Sequence, residues 1–155
     1  MGGVKRVLFA NADDVTAVTV SNDKVSAITM ATSAKFKEYA LPKGTANFVT
    51  TLNKEEANGT MYYATTLALV FNRMMTNKRV EISALAQNDL VAIVEDMNGL
   101  YWLMGKDEPL TSTSGDVAQS GTARADRNGY AISFIDNSKE MPYEVDADII
   151  DALVG

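Results

Sequence analysis

TANFVTTLNKEEANGTMYYATTLALVFNR, residues 45–73, is the stretch on which the reading of this chain turns. Asn58-Gly59 lies at its centre, and Asn-Gly favours a two-residue type I′ hairpin turn because both residues tolerate φ > 0. That turn predicts a register in which Ala57 faces Thr60, Leu52 faces Thr65, Phe48 faces Leu69 and Ala46 faces Phe71. One face of the ribbon is then bulky and apolar, and the other is small and mostly polar. A slip of one residue would mix the two faces, so pattern and turn agree. The second strand, residues 60–72, alternates almost without fault. Its thirteen residues would span roughly 43 Å, where a typical strand has about 5–6 residues. Either a bulge divides it into two shorter strands, or the ribbon projects beyond its own domain and pairs with neighbouring copies.

Working outward, 155 residues suggest one domain, and 46% hydrophobic content is ample for a core. No apolar run approaches the roughly 18 residues of a membrane span. Val7-Leu8-Phe9-Ala10 is too short for a signal-peptide core, and Arg6 occupies the position where a myristoylation signal needs Ser or Thr. Cysteine and histidine are both absent. Their absence removes disulfides, thiolate ligands, the commonest general base and any Ser-His-Asp triad. A formal charge of −6 with only 14 Lys and Arg argues against wrapping nucleic acid by charge neutralisation.

In chain order, residues 5–10 read as a short strand. Residues 15–20 and 25–30 alternate around the turn-type sequence Ser21-Asn22-Asp23-Lys24 and form a hairpin. Residues 35–41 give a fourth strand, ended by Pro42. After the long hairpin, Thr76 or Asn77 caps a helix. Its apolar side is Met75, Ile82, Leu85 and Ala86, and Asn88 stops it. A second Asn-Gly hairpin joins residues 90–96 to 100–104. Its first strand is apolar on both sides and so is covered on both sides. One cover is expected to be a second sheet; the helix or another subunit could supply the other.

Residues 110–125 are rich in Ser, Thr, Gly and Ala and read as one long loop. Asn128-Gly129 makes a third hairpin turn. It would set Ala125 against Ile132 and Ala123 against Phe134, zipping the end of that loop into the sheet. Residues 146–153 read as a short amphipathic helix. The expected fold is mainly β: an antiparallel β-sandwich or barrel with a long protruding β-hairpin and one flanking α-helix.

The chemistry-bearing groups are sparse. Asp13-Asp14, Glu55-Glu56 and Asp146 with Asp148 are carboxylate pairs in positions that suit solvated charges better than acid–base catalysis. Gly105-Lys106 lacks the spacing of a phosphate loop. Ser114-Gly115 and Ser120-Gly121 have no base partner. Trp102, Tyr101 and Tyr130 could form a sugar-stacking platform, although aromatics in alternating strands are more often core. Arg124 and Arg127 bracket Asp126 as a surface ion pair or a docking point for an acidic neighbour. No residue set calls for a metal or cofactor.

The succession of Asn58-Gly59-Thr60 into Thr66-Leu67-Ala68-Leu69-Val70-Phe71-Asn72 is distinctive. A helix ending in Leu85-Ala86-Gln87-Asn88 follows, then Val91-Ala92-Ile93-Val94, Asn98-Gly99 and Tyr101-Trp102-Leu103-Met104-Gly105. Asp126-Arg127-Asn128-Gly129-Tyr130 completes the series. Over roughly residues 45–145 this resembles structural proteins of tailed bacteriophages, of the tail-tube or tail-tube-like ring type, especially those of phages of Bacteroides-like hosts. The resemblance rests on hairpins and a helix and carries no catalytic signature. It implies hexameric, stacked rings in which long hairpins from all subunits build one inner β-barrel around a channel. The implied partners are further copies of the chain, other tail or neck proteins, and double-stranded DNA that passes without specific binding; no membrane is involved. The implied location is the virion tail, and the host cytoplasm before assembly.

Within that picture Asn47, Val49, Thr51, Asn53, Ala64, Thr66 and Ala68 are expected to face the channel. Phe48, Leu52, Leu67, Leu69 and Phe71 are expected to face the sandwich core. Thr111, Ser114, Gly115, Ser120 and Arg124 would belong to an arm that orders on a neighbouring subunit. Two other readings compete: a carbohydrate- or host-binding β-sandwich module built on Trp102, and a small hydrolase using two carboxylates.

Overall fold

The computed structural model describes residues 4–31, 34–40, 46–72, 80, 83–85, 87–105, 108–113, 118–119, 122–124, 129–139 and 141–154, with the backbone alone at Ala40, Phe71, Asn72, Ala118, Gln119 and Gly129. The strands are β1 (Val4–Asn11), β2 (Val15–Ser21), β3 (Lys24–Met30), β4 (Lys37–Ala40), β5 (Ala46–Glu55) and β6 (Thr60–Asn72). They continue as β7 (Leu90–Asp96), β8 (Tyr101–Met104), β9 (Thr111–Ser112), β10 (Ala118–Gln119), β11 (Gly129–Ser138) and β12 (Tyr143–Val145). A short helix, α1 (Ile150–Leu153), follows a 3₁₀ turn at Ala147–Ile149. The mainly-β expectation holds.

Two sheets form. The larger runs β2-β3-β12-β8-β7-β1-β4 and the smaller β10-β11-β6-β5, with β9 also on the edge of β11. Strand β6 is continuous over all thirteen residues, paired with β5 on one side and β11 on the other, so no bulge divides it. The last pair on the β11 side is Ser138 with Tyr63. Beyond it, Asn53↔Tyr62, Lys54↔Met61 and Glu55↔Thr60 continue as a two-stranded tip.

The register of this hairpin differs from the expected one by two residues. Ala46 pairs with Leu69, Phe48 with Leu67 and Leu52 with Tyr63. The turn is a four-residue loop in which the Gly59 amide donates to the Glu56 carbonyl at 3.3 Å and Gly59 alone takes a left-handed φ of +67°. A type I′ turn needs positive φ at both central residues, and Asn58 does not adopt it. The two-residue left-handed turn is instead Asn22-Asp23, with φ of 53° and 63°, between paired Ser21 and Lys24. Because side chains alternate with period two, the shift changes partners but leaves every residue on its expected face.

The two faces of the larger sheet bury separate cores. Between the sheets lie Val7 and Phe9 of β1, Leu67 and Leu69 of β6, Ala92 and Val94 of β7, and Ile132 and Phe134 of β11. Phe9 meets Phe134 at a centroid distance of 5.3 Å. Strands β1 and β7 present Leu8, Ala10, Val91 and Ile93 to the opposite side, where Val25 of β3, Phe36, and Ile150 and Leu153 of α1 cover them. The second cover is therefore α1 with the β2-β3 hairpin.

Most of the expected helix at residues 76–88 lies outside the described residues. Ser83, Ala84, Leu85 and Gln87 are helical, and Leu85 is buried in the inter-sheet core. The loop expectation for residues 110–125 is corrected at its start. Leu110 is fully buried and exchanges backbone hydrogen bonds with Leu90, and Thr111 and Ser112 form β9 against Ile135 and Phe134. The expected pairing of Ala123 with Phe134 is replaced by Ser112 and Leu67 as the neighbours of Phe134, while Ala118 pairs with Tyr130. Ala125 lies outside the described residues.

Two polar ties hold the layers. Asp136, buried on β11, accepts from the Gly105 amide at 2.9 Å and so joins the end of β8 to the other sheet. Beside it, the hydroxyls of Thr50 and Thr65 meet at 3.0 Å. On the opposite side of the larger sheet, Arg6 bonds Glu95, the Tyr101 hydroxyl at 2.7 Å and Glu38 at 3.1 Å, linking β1, β7, β8 and β4. Burial alone would lower the Arg6 pKa. The hydrogen bonds to Tyr101, Glu95 and Glu38 outweigh it and raise the pKa further above its ordinary value, so the guanidinium stays charged.

Candidate assembly surface

Among the described residues, the smaller sheet turns one face inward and leaves the other open. On the open face, Asn47 lies beside Ala68, Val49 beside Thr66, Thr51 beside Ala64 and Asn53 beside Tyr62. Strand β11 extends the rows with Ala131, Ser133, Ile135 and Asn137, and β9 adds Thr111. All seven residues expected on the channel face share this surface. Val49 is 55% exposed, and Ala64, Thr66 and Ala68 are half-buried by their cross-strand neighbours.

The chemistry of this face is uniform. Among the described residues on β5, β6, β9 and β11 that point this way, none is Asp, Glu, Lys or Arg until Glu55 at the ribbon tip. A solvated antiparallel sheet face ordinarily alternates polar and charged side chains against the core face. Here it carries Thr, Asn, Ser, Ala, Val and Ile, with Tyr62 toward the tip. Phosphate would find no cation on it, and a facing protein surface would have few charges to desolvate.

The edge of the same sheet is also open. Among the described residues, strand β5 pairs only with β6. It has ten residues, contains no proline, keeps its register with β6 unbroken, and has its charged residues, Lys54 and Glu55, at the tip. Proteins ordinarily blunt an edge of this length with inward charges, proline, a bulge or a covering loop, because its free amides and carbonyls template pairing with another strand.

The inward-facing set divides. Leu67 and Leu69 are buried, and Phe48 packs partly buried against them. Leu52 is corrected: it is 52% exposed. The two-residue register shift slides β5 by about 6.6 Å toward the tip, so Leu52 passes beyond the buried level of Thr65 and Thr50 takes that place. The Phe71 side chain lies outside the described residues. Of the expected arm, Thr111 is part of β9, Arg124 is exposed, and Ser114, Gly115 and Ser120 lie outside the described residues, as do Asp126 and Arg127.

The aromatic platform does not assemble as expected. Tyr130 is buried between the sheets, Tyr101 points to the opposite side of β8 and sits under the Arg6 guanidinium, and Trp102 is half-buried. Trp102 is locked in place: its Nε1 donates at 3.0 Å to Asp96, whose carboxylate also accepts the amides of Asn98 and Leu100. Burial would raise the Asp96 pKa. The hydrogen bonds from Trp102, Leu100 and Asn98 outweigh it and lower the pKa below the ordinary carboxylate value. Sequence reasoning missed this tie, although an Asp two residues before Asn-Gly is a turn signature that could have suggested the amide bonds.

The carboxylate pairs sit in turns and at the ribbon tip. Asp13 and Asp14 form a 3₁₀ turn, Glu55 and Glu56 sit at the ribbon tip, and Asp146 caps the Asp148 amide at 3.1 Å. Among the described residues, no three Asp or Glu side chains gather in a metal-binding group, and no helix is long and apolar enough to cross a membrane. Comparison with known proteins finds no matching family model, curated relative or solved structure.

Proposed function

We propose that this chain is a self-assembling structural protein of a phage tail. Copies close side by side into rings, and their smaller sheets line a channel through which duplex DNA passes without being held. The observation that carries this reading is the open face of the smaller sheet. The described side chains there are small, polar or β-branched apart from Tyr62, with no cation to bind phosphate before the ribbon tip. Each copy would add its β5 edge to the far edge of the next sheet, giving the unprotected strand a partner. The resemblance to tail-tube and tail-ring proteins points to six copies per ring and to the virion tail as the site of action, after folding in the host cytoplasm.

In a channel of this kind, DNA meets hydroxyls, amides and methyl groups, with Glu55 and Glu56 at one end. Weak repulsion screened over about 8 Å at physiological salt keeps phosphates moving. Electron microscopy of the purified protein tests the reading: rings or tubes with a central hole are expected. A monodisperse monomer at high concentration would refute it. So would salt-dependent binding of duplex DNA tighter than micromolar, or a ring whose narrowest part is lined by Lys43, Lys54 or Arg73.

A further inference from the structure

Two turns of this chain repeat one pattern, in which an acidic residue precedes Asn-Gly by one position. They are Glu56-Ala57-Asn58-Gly59 at the ribbon tip and Asp96-Met97-Asn98-Gly99 joining β7 to β8. Both asparagines are exposed, and both glycines are left-handed, with φ of +67° and +82°. Each glycine amide donates to the carbonyl of the acidic residue, at 3.3 Å to Glu56 and 3.1 Å to Asp96. A Cβ on either glycine would meet nothing within 4 Å, so neither turn is crowded. The acidic side chains set the two turns apart. One Asp96 oxygen accepts the Asn98 amide at 2.9 Å and the Leu100 amide at 3.0 Å, while Trp102 Nε1 donates to the other at 3.0 Å. Glu56, one methylene longer, makes no such turn: its side chain is 85% exposed and lies 3.9 Å from Lys54. Among the described residues, no side chain is hydrogen-bonded to Asn58, Gly59 or Thr60. The third Asn-Gly begins at Asn128, which lies outside the described residues.

Asn-Gly can modify itself. The glycine amide nitrogen, once deprotonated, attacks the asparagine Cγ. A C–N bond forms and closes a succinimide ring, the Cγ–Nδ2 bond breaks, and the side-chain nitrogen leaves as ammonia. Water then opens the ring at either carbonyl and gives aspartate or isoaspartate. Glycine favours the attack because it has no Cβ to keep other atoms from its backbone. Closing the ring swings the Asn-Gly peptide about the asparagine ψ. At Asn98 the amides on both sides of that peptide are tied to one carboxylate, so the swing must break or stretch charge-assisted bonds. An anionic nitrogen at Gly99 would also stand beside that carboxylate, and like charges disfavour it. Giving up even one such bond slows ring closure by about tenfold or more. We propose that Asn58 is a self-modification site: the ribbon tip converts to aspartate and isoaspartate as the protein ages, while the Asp96 carboxylate protects Asn98. One carboxylate then replaces one neutral amide beside Glu55 and Glu56, which takes the formal charge from −6 to −7. Isoaspartate also threads an extra carbon into the backbone of the turn. The modification belongs to the single chain, whether or not rings form.

Peptide mapping of the full chain, kept folded in mildly alkaline buffer and sampled over time, reads each site separately. Conversion appears as the mass gain of O replacing NH, and isoaspartate is identified by its enzymatic methylation. Asn58 should convert about tenfold or more faster than Asn98. In guanidinium, where the turns and their hydrogen bonds are gone, the two rates should converge. In folded Asp96→Ala, Asn98 should speed up toward the Asn58 rate. Should that variant not fold, the folded and unfolded wild-type rates decide the matter alone. Equal rates at the two sites in the folded wild type would overturn the proposal. So would a gap that survives unfolding, because its cause would then lie in the neighbouring sequence and not in the fold. A folded Asp96→Ala chain in which Asn98 stays as slow as before would overturn it too.

Discussion

Two glycines with the same backbone handedness should behave very differently when a methyl group is added. Gly105 has φ of +87° and Gly59 has φ of +67°, so alanine at either costs about 1–2 kcal/mol for the left-handed conformation. At Gly59 a Cβ meets nothing within 4 Å, and the cost stops there. At Gly105 it falls 2.8 Å from the Leu90 carbonyl oxygen and 3.3 Å from the Val91 Cα. That carbonyl cannot retreat freely, because it accepts the Leu110 amide at 2.8 Å, and Leu110 is fully buried. The displaced alternative, moving Gly105 itself, strains the bond from its amide to Asp136. Losing one such bond costs about 1 kcal/mol, and overpacking about 1–3 kcal/mol. Gly105→Ala should therefore lose about 3 kcal/mol or more, against about 1–2 for Gly59→Ala. In thermal melts, at roughly 2–4 °C per kcal/mol for a chain of this size, the two should lie several degrees apart. Urea unfolding with an unchanged m value would assign the difference to the native state. Equal losses at the two sites would refute the claim that the Leu90–Leu110 bridge is rigid.

Leu69→Ala should cost about 2–5 kcal/mol by leaving a cavity, whereas Leu52→Ala should change monomer stability by less than about 0.5 kcal/mol; urea titration of both compares them directly. Asp136→Ala strands the Gly105 amide in the core and should cost about 1–3 kcal/mol, seen as a lower melting temperature. The Asp96 carboxylate is depressed in the folded chain, so its stabilising contribution is complete above the unfolded value of about 3.9 and is lost as pH falls through the lower folded value. Melting temperatures measured from pH 5 down to pH 2 should fall less steeply for Asp96→Asn than for the wild type, and Trp102 emission should follow the same window.

What the sequence made legible follows from periodicity. Alternation with period two assigned the faces of β5 and β6, and an even register error could not spoil that assignment. The turn chemistry was less decisive. Asn58-Gly59 satisfies the composition of a type I′ turn, yet the loop takes four residues with Gly59 alone left-handed, while Asn22-Asp23 makes the mirror-image turn with no glycine. That difference moved Leu52 out of the core. Leu110 was hidden because one buried side chain in a stretch of small polar residues gives no period to read. The Arg6, Glu95, Glu38 and Tyr101 cluster was hidden for another reason: its members lie on four strands, and only the pairing of β1 with both β7 and β4 brings them together. Trp102 and Tyr101 are neighbours in sequence and strangers in space, as adjacent strand residues must be.

The place of β12 in the larger sheet governs how this protein is born. Residues 143–145 stand between β3 and β8, and the β12–β3 pair is parallel, so among the described residues the β2-β3 hairpin joins the rest of its sheet only through them. On the ribosome the sheet cannot close until residue 145 has emerged. The ribbon is complete at residue 72, which is 73 residues earlier. At roughly 5–20 residues per second, translation leaves it waiting about 4–15 seconds. For most of that interval, until β11 ends at Ser138, residues 60–72, free of proline, glycine and charge, lack β11 as a partner. Such a segment adheres to its own kind. The nascent ribbon is thus the point at which polysomes crowded with this message are most exposed to premature association.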